Sequence, residues 1–148
     1  MRIREAELNG DVLETLIAFS RDWEREDSCY GYRANEPADI AGNRVFLAEE
    51  NGKVLGYLFG KRSEAKNMTS IMPDRSPFFE IMELYVIPSR RSGGVGKALM
   101  QHVENAVRPE LDYLLLSTAT KNWRAILHFY IEMAGMEFWS ATLYKKLS

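Results

Sequence analysis

The sequence is short of several things, and each shortage excludes a class of protein. It has one cysteine, Cys29, so no internal disulfide can staple the chain, and a cytoplasmic protein fits best. Its two histidines, His102 and His128, fall in no metal-ligand spacing; both read as structural or solvated, and no metal site is expected. No apolar run approaches the ~18 residues of a membrane helix; the longest candidates, such as residues 54–59, are strand-sized. The opening stretch, MRIREAELNG, lacks the apolar core of a signal peptide. A net charge of −2 offers no broad positive surface to a nucleic acid. No repeat, linker or low-complexity tract marks a boundary, so residues 1–148 are expected to form a single domain.

What is present suits a soluble globular chain, since 46% apolar residues in a chain of this length can bury a real core. Residues 1–8 alternate weakly and read as a strand. Asn9 or Asp11 then caps a helix with Val12, Leu13, Leu16, Ile17, Ser20 and Trp23 on one side. It ends in a charged run, 21–27, which is either a solvated face or presents Glu24, Glu26 or Asp27 to a cationic substrate. Residues 28–32 form a loop with Cys29, Tyr30 and Tyr32, either a substrate wall or a packed connection; Cys29 has no activating partner and is not expected to react. Residues 37–41 read as a short helix. Arg44–Glu50 and residues 53–62 are strands joined by Asn51-Gly52, a strong hairpin signal. The polar stretch 63–77, with Pro73 and Pro77, is the most mobile expected, either a lid or a long hairpin loop. Strand 81–87 follows. After the next helix, Pro109 breaks the pattern. Residues 112–119 read as a strand apolar on both faces, 121–134 as a helix ended by Gly135, and 136–147 as a final strand or hairpin. The order is β-α-α-β-β-β-α-β-α-β, with 81–119 a parallel, right-handed strand–helix–strand unit.

The most informative stretch is 83–100, ELYVIPSRRSGGVGKALM. Pro88 stops the strand because it has no N–H for a ladder. From Val95 the pattern turns helical, with Val95, Leu99, Val103 and Ala106 on one face and Ala98 and His102 beside them. A strand, a glycine turn and a helix start make an anion site, because free N–H groups and the positive end of the helix dipole converge there. Gly93, Gly94 and Gly96 let a ligand approach the backbone, and Arg90, Arg91 and Lys97 add positive charge. The stretch reads as a phosphate or pyrophosphate cradle.

Three phosphate motifs compete for it. G-x-G-x-x-G fails, since Leu99 stands third after Gly94 and Gly96. G-x-x-x-x-G-K-[ST] fails too, with Arg91 at the first Gly and Ala98 at the Ser/Thr. R-x-x-G-x-G is met by Arg91, Gly94 and Gly96, directly after a strand ending in Val86-x-Pro88. Here the chain resembles the GNAT family of N-acetyltransferases. The resemblance implies an α/β (α+β) fold: a mixed, mostly antiparallel sheet of about six to seven strands with a central splayed parallel pair, flanked by about four helices. It implies acetyl-CoA as cofactor. The backbone of Leu84, Tyr85 and Val86 would bind the pantetheine, and the amides of Arg91, Ser92, Gly93, Gly94, Val95, Gly96 and Lys97 the pyrophosphate, with Asn122 of the N-x-x-A at Asn122 and Ala125 helping to fix the cofactor.

Acetyl transfer to an amine needs few parts. Glu83, in an apolar strand at the cofactor crossing, is the expected general base, since burial raises a carboxyl toward neutrality; Glu80 is the reserve. The competing reading pairs Glu83 with Arg33 or Lys61. The N–H of Val86 would serve the oxyanion. Tyr130, ahead of Gly135, resembles the family's tyrosine beside the thioester sulfur and would protonate the leaving thiolate, unless it is a core tyrosine. The family's usual spacing from asparagine to tyrosine is seven residues, where Phe129 stands here, and Gly135 also comes late. A one-residue shift turns a helical side chain by about 100°. Either the helix starts differently, or it holds a π-bulge, or Tyr130 does not face the sulfur. The expectation is that Phe129 joins the core stripe, that Tyr130 reaches the sulfur, and that an irregular first turn near Asn122 absorbs the extra residue.

Acidic and aromatic residues between Trp23 and Tyr32, with Glu26, Cys29, Tyr30, Tyr32 and Glu80 as candidate contacts, favour a small cationic amine over a protein N-terminus. A CoA-binding module without turnover is the alternative. By analogy with the family a homodimer is expected, because 136–147 carries Phe138, Trp139, Leu143 and Tyr144, and so apolar an edge strand is usually covered.

Overall fold

A computed structural model describes residues 1–148. One mixed sheet runs β1 (Arg2–Ala6), β2 (Arg44–Glu50), β3 (Lys53–Glu64), β4 (Pro77–Val86) and β5 (Tyr113–Leu115), adjacent in that order. From β1 to β4 each strand is antiparallel to the next, and β4 and β5 are parallel. The helices are α1 (Gly10–Glu26), α2 (Pro37–Ile40), α3 (Val95–Val107) and α4 (Trp123–His128). Local chemistry explains the boundaries. Asn9 Oδ1 accepts the Val12 N–H at 3.0 Å and starts α1, while Asp27 at φ 51° ends it. Asn51 and Gly52, at φ 52° and 75°, make the β2–β3 turn.

Both faces of the sheet are covered, which is why β2 and β3 are apolar without alternation. Val12, Leu16 and Ile40 close over Val45, Leu47, Tyr57, Phe59 and Tyr85 on one face. Val95, Leu99, Val103 and Val107 of α3 close over Phe46, Leu58, Phe79 and Ile81 on the other. No helix is long and apolar enough to cross a membrane.

Two irregularities position the site. The β3–β4 register pairs Phe59 with Glu83 but Gly60 with Ile81, leaving Met82 as an extra, bulged residue. Without it, strand alternation would put Phe79, Ile81, Glu83 and Tyr85 on one face. With it, Phe79 and Ile81 face α3 while Tyr85 joins the α1 side and Glu83 meets Tyr57 there. Gly60 permits the close approach at the bulge, since a Cβ there would lie 2.3 Å from Glu80 O and 2.7 Å from the Phe79 ring. The second irregularity is that β4 and β5 pair only from Phe78–Tyr113 to Glu80–Leu115. Beyond that point the edge of β4 faces no strand, and a gap opens.

The sheet therefore has five strands, fewer than expected. Strand 112–119 shrinks to Tyr113–Leu115, half-buried instead of covered on both faces, because nothing pairs with its outer edge. Residues 136–148 form no strand. An edge three residues long offers too few ladder bonds to offset the ordering of a tail, and Leu143, Tyr144 and Leu147 stay 91%, 79% and 83% exposed. Strands β3 and β4 also reach further than expected, leaving a loop at 65–76. It is the packed hairpin loop rather than a free lid. Ala65 donates to Ser76 O at 2.9 Å and Arg75 to Ala65 O at 2.8 Å, and Ala65 and Met72 bury against Phe78.

Candidate active site

The bulge aims Glu83 into a ring of neutral donors. Its Oε1 accepts from the Tyr57 hydroxyl at 2.8 Å, Asn35 Nδ2 at 2.9 Å and the Tyr32 hydroxyl at 3.0 Å. All three converge on one oxygen, so Oε2 has no protein partner. Neither Arg33 nor Lys61 pairs with Glu83; Lys61 stands opposite Glu80 in the register. Burial holds the Glu83 carboxyl above its usual range, against the pull of Tyr57, Asn35 and Tyr32, and Asp39 adds to the rise. Burial and then the Glu83 charge push the Tyr57 and Tyr32 phenols up, so both stay neutral donors near neutral pH. Glu83 lines a cleft of about 510 Å³ with Arg33, Ala34, Asn35, Glu36, Asp39, Phe59 and Met82.

The segment bearing Tyr32 and Asn35 is pinned from behind. Ser20, fully buried, accepts the Asn35 N–H at 2.8 Å and donates to Ile17 O at 2.7 Å. Trp23 stacks on Tyr32 at 4.3 Å, and Glu24 accepts the Ala34 N–H at 2.9 Å, so Glu24 is structural. Residues 28–30 are a packed connection instead: Tyr30 N–H donates to Ala119 O at 2.9 Å and Lys121 N–H to Ser28 O at 2.8 Å. Tyr30 lies outside the Glu83 cluster, edge-on to Tyr144 at 6.1 Å. Glu80 has no side-chain partner and stays outside the cluster too. Tyr57 and Asn35 carry no sequence signal. Tyr57 alternates with Phe59 as a core residue would, and Asn35 sits in a loop without a motif.

The gap beside β4 offers backbone groups. Ile87 N–H donates to Leu55 O at 2.9 Å, so alternation turns the N–H and C=O of Leu84 and Val86 the other way, into the gap. Tyr85 is the exception among the three expected backbone contacts. It pairs with Tyr57, and its carbonyl would lie 2.5 Å from a Cβ on Gly56. Its ring packs on Phe19 and Trp23, and its hydroxyl, pushed up to about 12 by burial and then by Glu26, donates to Glu26 Oε1 at 3.3 Å.

Past a 3₁₀ turn at Pro88–Arg90, Ser92 and Gly94 take positive φ of 62° and 89° and deliver the chain to α3. The first α3 bond is Ala98 N–H to Gly94 O at 3.0 Å, which leaves the N–H groups of Val95, Gly96 and Lys97 without acceptors. A Cβ on Gly94 would meet nothing within 4 Å, so the space above these donors is open. An anion such as a diphosphate fits this cradle, and an extended amide-bearing chain fits the gap that leads from it. Two expected roles change. The missing side chain of Gly96 serves packing rather than ligand approach, since a Cβ there would lie 3.1 Å from the Phe129 ring, while its N–H stays among the cradle donors. Arg90 is bound at 2.8 and 3.2 Å to Glu50 on β2, which turns it from the cradle.

Asn122 caps α4, but its side chain makes no capping bond. The extra residue is absorbed further on, not near Asn122. Phe129–Met133 forms a π turn closed by Ala134 N–H to Phe129 O at 2.9 Å. Phe129 packs into the α3 core, with Tyr130 against the same core at 5.1 Å from the Phe129 ring. Burial first and then the nearby Cys29 push the Tyr130 hydroxyl up to about 12.

Residues 11–136 match the sequence model of the Acetyltransferase (GNAT) family. No curated protein sequence matches the chain. Solved structures do. An aminoglycoside acetyltransferase from an uncultured soil metagenomic sample superposes with a TM-score of 0.72 at 16% identity, covering 99% of this chain and 98% of that one. An aminoglycoside antibiotic 6'-N-acetyltransferase from Acinetobacter haemolyticus gives 0.67 at 16% identity, covering 100% and 99%. An aminoglycoside N-acetyltransferase in complex with CoA gives 0.68 at 18% identity, covering 99% of each chain. At such identities the likeness is one of fold.

Proposed function

The chain belongs to the GNAT acetyltransferase family, and we propose that it moves an acetyl group from acetyl-CoA to a primary amine of a small cationic molecule. The observation that carries the reading is Glu83: one carboxylate oxygen held by three neutral donors, the other free in a cleft, on the strand whose next residue opens onto the gap. Bound acetyl-CoA would supply the activated acetyl group as a thioester. The cradle donors of Val95, Gly96 and Lys97 would hold its diphosphate, and the backbone of Leu84 and Val86 its pantetheine arm.

Glu83 takes the proton that an ammonium must lose before its nitrogen can attack. The Val86 N–H, directed into the gap, would offer a donor to a thioester carbonyl oxygen as it gains charge. Tyr130, whose burial keeps the phenol protonated, would hold the proton that a leaving thiolate needs. The acceptor class follows from the cleft. Glu36, Asp39 and Glu83 line it against one cation, Arg33, which favours a positively charged amine. Aminoglycoside acetyltransferases of the same fold support this polycationic class.

The test is release of free CoA thiol from acetyl-CoA across a panel of polyamines, aminoglycosides and neutral amines, with calorimetry of acetyl-CoA alone. Turnover confined to cationic amines is expected. Absence of acetyl-CoA binding would overturn the reading, and binding without thiol release across the panel would turn it into a CoA-binding module.

A further inference from the structure

Arg91 begins the phosphate loop, yet its side chain points away from the cradle and across the mouth of the gap. Nε donates to Val86 O at 2.9 Å, Nη2 donates to Glu26 Oε1 at 2.8 Å, and the guanidinium lies over the Tyr85 ring at 5.3 Å. The first contact caps a carbonyl that alternation turns into the gap. The second reaches the end of α1, where Glu26 Oε1 also accepts from the Tyr85 hydroxyl at 3.3 Å. The two charged side chains remain 43% and 22% exposed, so water screens the pair and little holds it shut.

Two anions can therefore claim one guanidinium: the Glu26 carboxylate, which accepts from it in this structure, and a diphosphate seated on the donors of α3 a few residues further along the same loop. Glu26 also lines a second cleft, of about 370 Å³, with Asp22, Arg25, Tyr85, Ile87 and Pro88. Arg25 pairs with Asp22. While Arg91 stays on Glu26 the charges around this cleft cancel, and if Arg91 leaves, one carboxylate is uncovered there.

Resting on the acetyl-CoA reading above, we infer that Arg91 is an exchangeable latch. It is held on Glu26 and Val86 in the free protein and drawn off by the diphosphate of coenzyme A, which frees the Val86 carbonyl and exposes Glu26 to a cationic group of the acceptor. The latch gives the sites an order, because a ligand that removes Arg91 prepares the carboxylate for the second ligand. By linkage the effect is reciprocal, so a bound polycation tightens coenzyme A.

Calorimetric titration of coenzyme A tests this without turnover. Glu26→Gln removes the competing anion and is expected to bind coenzyme A about 2- to 5-fold more tightly than the wild type, the range set by a screened ion pair. In an Arg91→Ala background, where the cradle N–H groups still bind, adding Glu26→Gln is expected to change nothing. Unchanged or weaker binding by Glu26→Gln overturns the latch. An equal gain in the Arg91→Ala background overturns it as well, since the effect would then be general repulsion between Glu26 and phosphate. A wild type that binds no coenzyme A overturns the underlying functional reading, whereas a wild type that binds it with Glu26→Gln unchanged overturns the latch alone.

Discussion

Replacing Tyr57 by Phe is the sharpest perturbation of the proposed base. The ring is fully buried and the change removes one oxygen, so no cavity forms and packing against Phe59 and Tyr85 is kept. What is lost is the 2.8 Å hydrogen bond to Glu83 Oε1, the shortest of the three. A hydrogen bond to a charged group contributes about 1.5–3 kcal/mol, and one pH unit of displacement corresponds to about 1.4 kcal/mol. The lost bond favoured the ionised carboxylate, so without it protonation becomes easier. The acid limb of the kcat/KM profile is expected to move up by roughly one to two pH units, towards the lower figure because Asn35 and Tyr32 remain on the same oxygen. The rate above the limb should change little. The assay is thiol release over a pH series with an accepted amine. A limb that stays put, or moves down, would refute Glu83 as the titrating base.

Glu83→Gln is expected to keep acetyl-CoA affinity while losing about 10²–10⁴-fold in turnover, read by calorimetry beside thiol release. The same variant tests the burial argument. The folded pKa of Glu83 is raised, so its contribution to stability is complete below the ordinary carboxyl range and is lost as pH climbs through the folded value. The difference in melting temperature, Gln variant minus wild type, should therefore be more positive at pH 8 than at pH 4, and an opposite trend would contradict the burial. Tyr130→Phe should lower turnover by roughly 10-fold or more at similar acetyl-CoA affinity; near-normal turnover would return Tyr130 to the core. A homodimer is expected, with the exposed Leu143, Tyr144 and Leu147 covered, and a monomeric mass by light scattering at micromolar concentration would dismiss it.

The features legible in the sequence are those written in local chemistry. Pro88, the glycines after it and the switch of period at Val95 mark a strand, a turn and a helix whose terms are all satisfied within a few residues. Asn51-Gly52 and Asn9 are legible for the same reason. The partners of Glu83 are not, because they depend on register. Nothing near Met82 announces an extra residue, and only the pairing with β3 decides whether Glu83 meets Tyr57 or the opposite core. The π turn is a middle case. Set against the family's usual spacing, Asn122 to Tyr130 holds one residue too many, but where it is absorbed depends on packing such as that of Phe129 under Gly96, a contact between distant segments. The tail misleads because apolar residues suggest a strand, while strand formation also needs an edge long enough to receive it.

The bulge at Met82 has a bearing on how such a site can change over time. A substitution alters one side chain and leaves its neighbours where they were. Removing Met82 would instead rotate everything on one side of it by half a turn, driving the Glu83 carboxylate toward the α3 core and Phe79 or Tyr85 out of step with its partners. The reading frame of the strand is thus part of the proposed active site. Libraries of point substitutions would sample every side chain of β4 and never touch this property, and a single-codon deletion or insertion between Ile81 and Glu83 is the genetic event that would turn Glu83 from its three donors or hand the strand a new set of inward-facing residues.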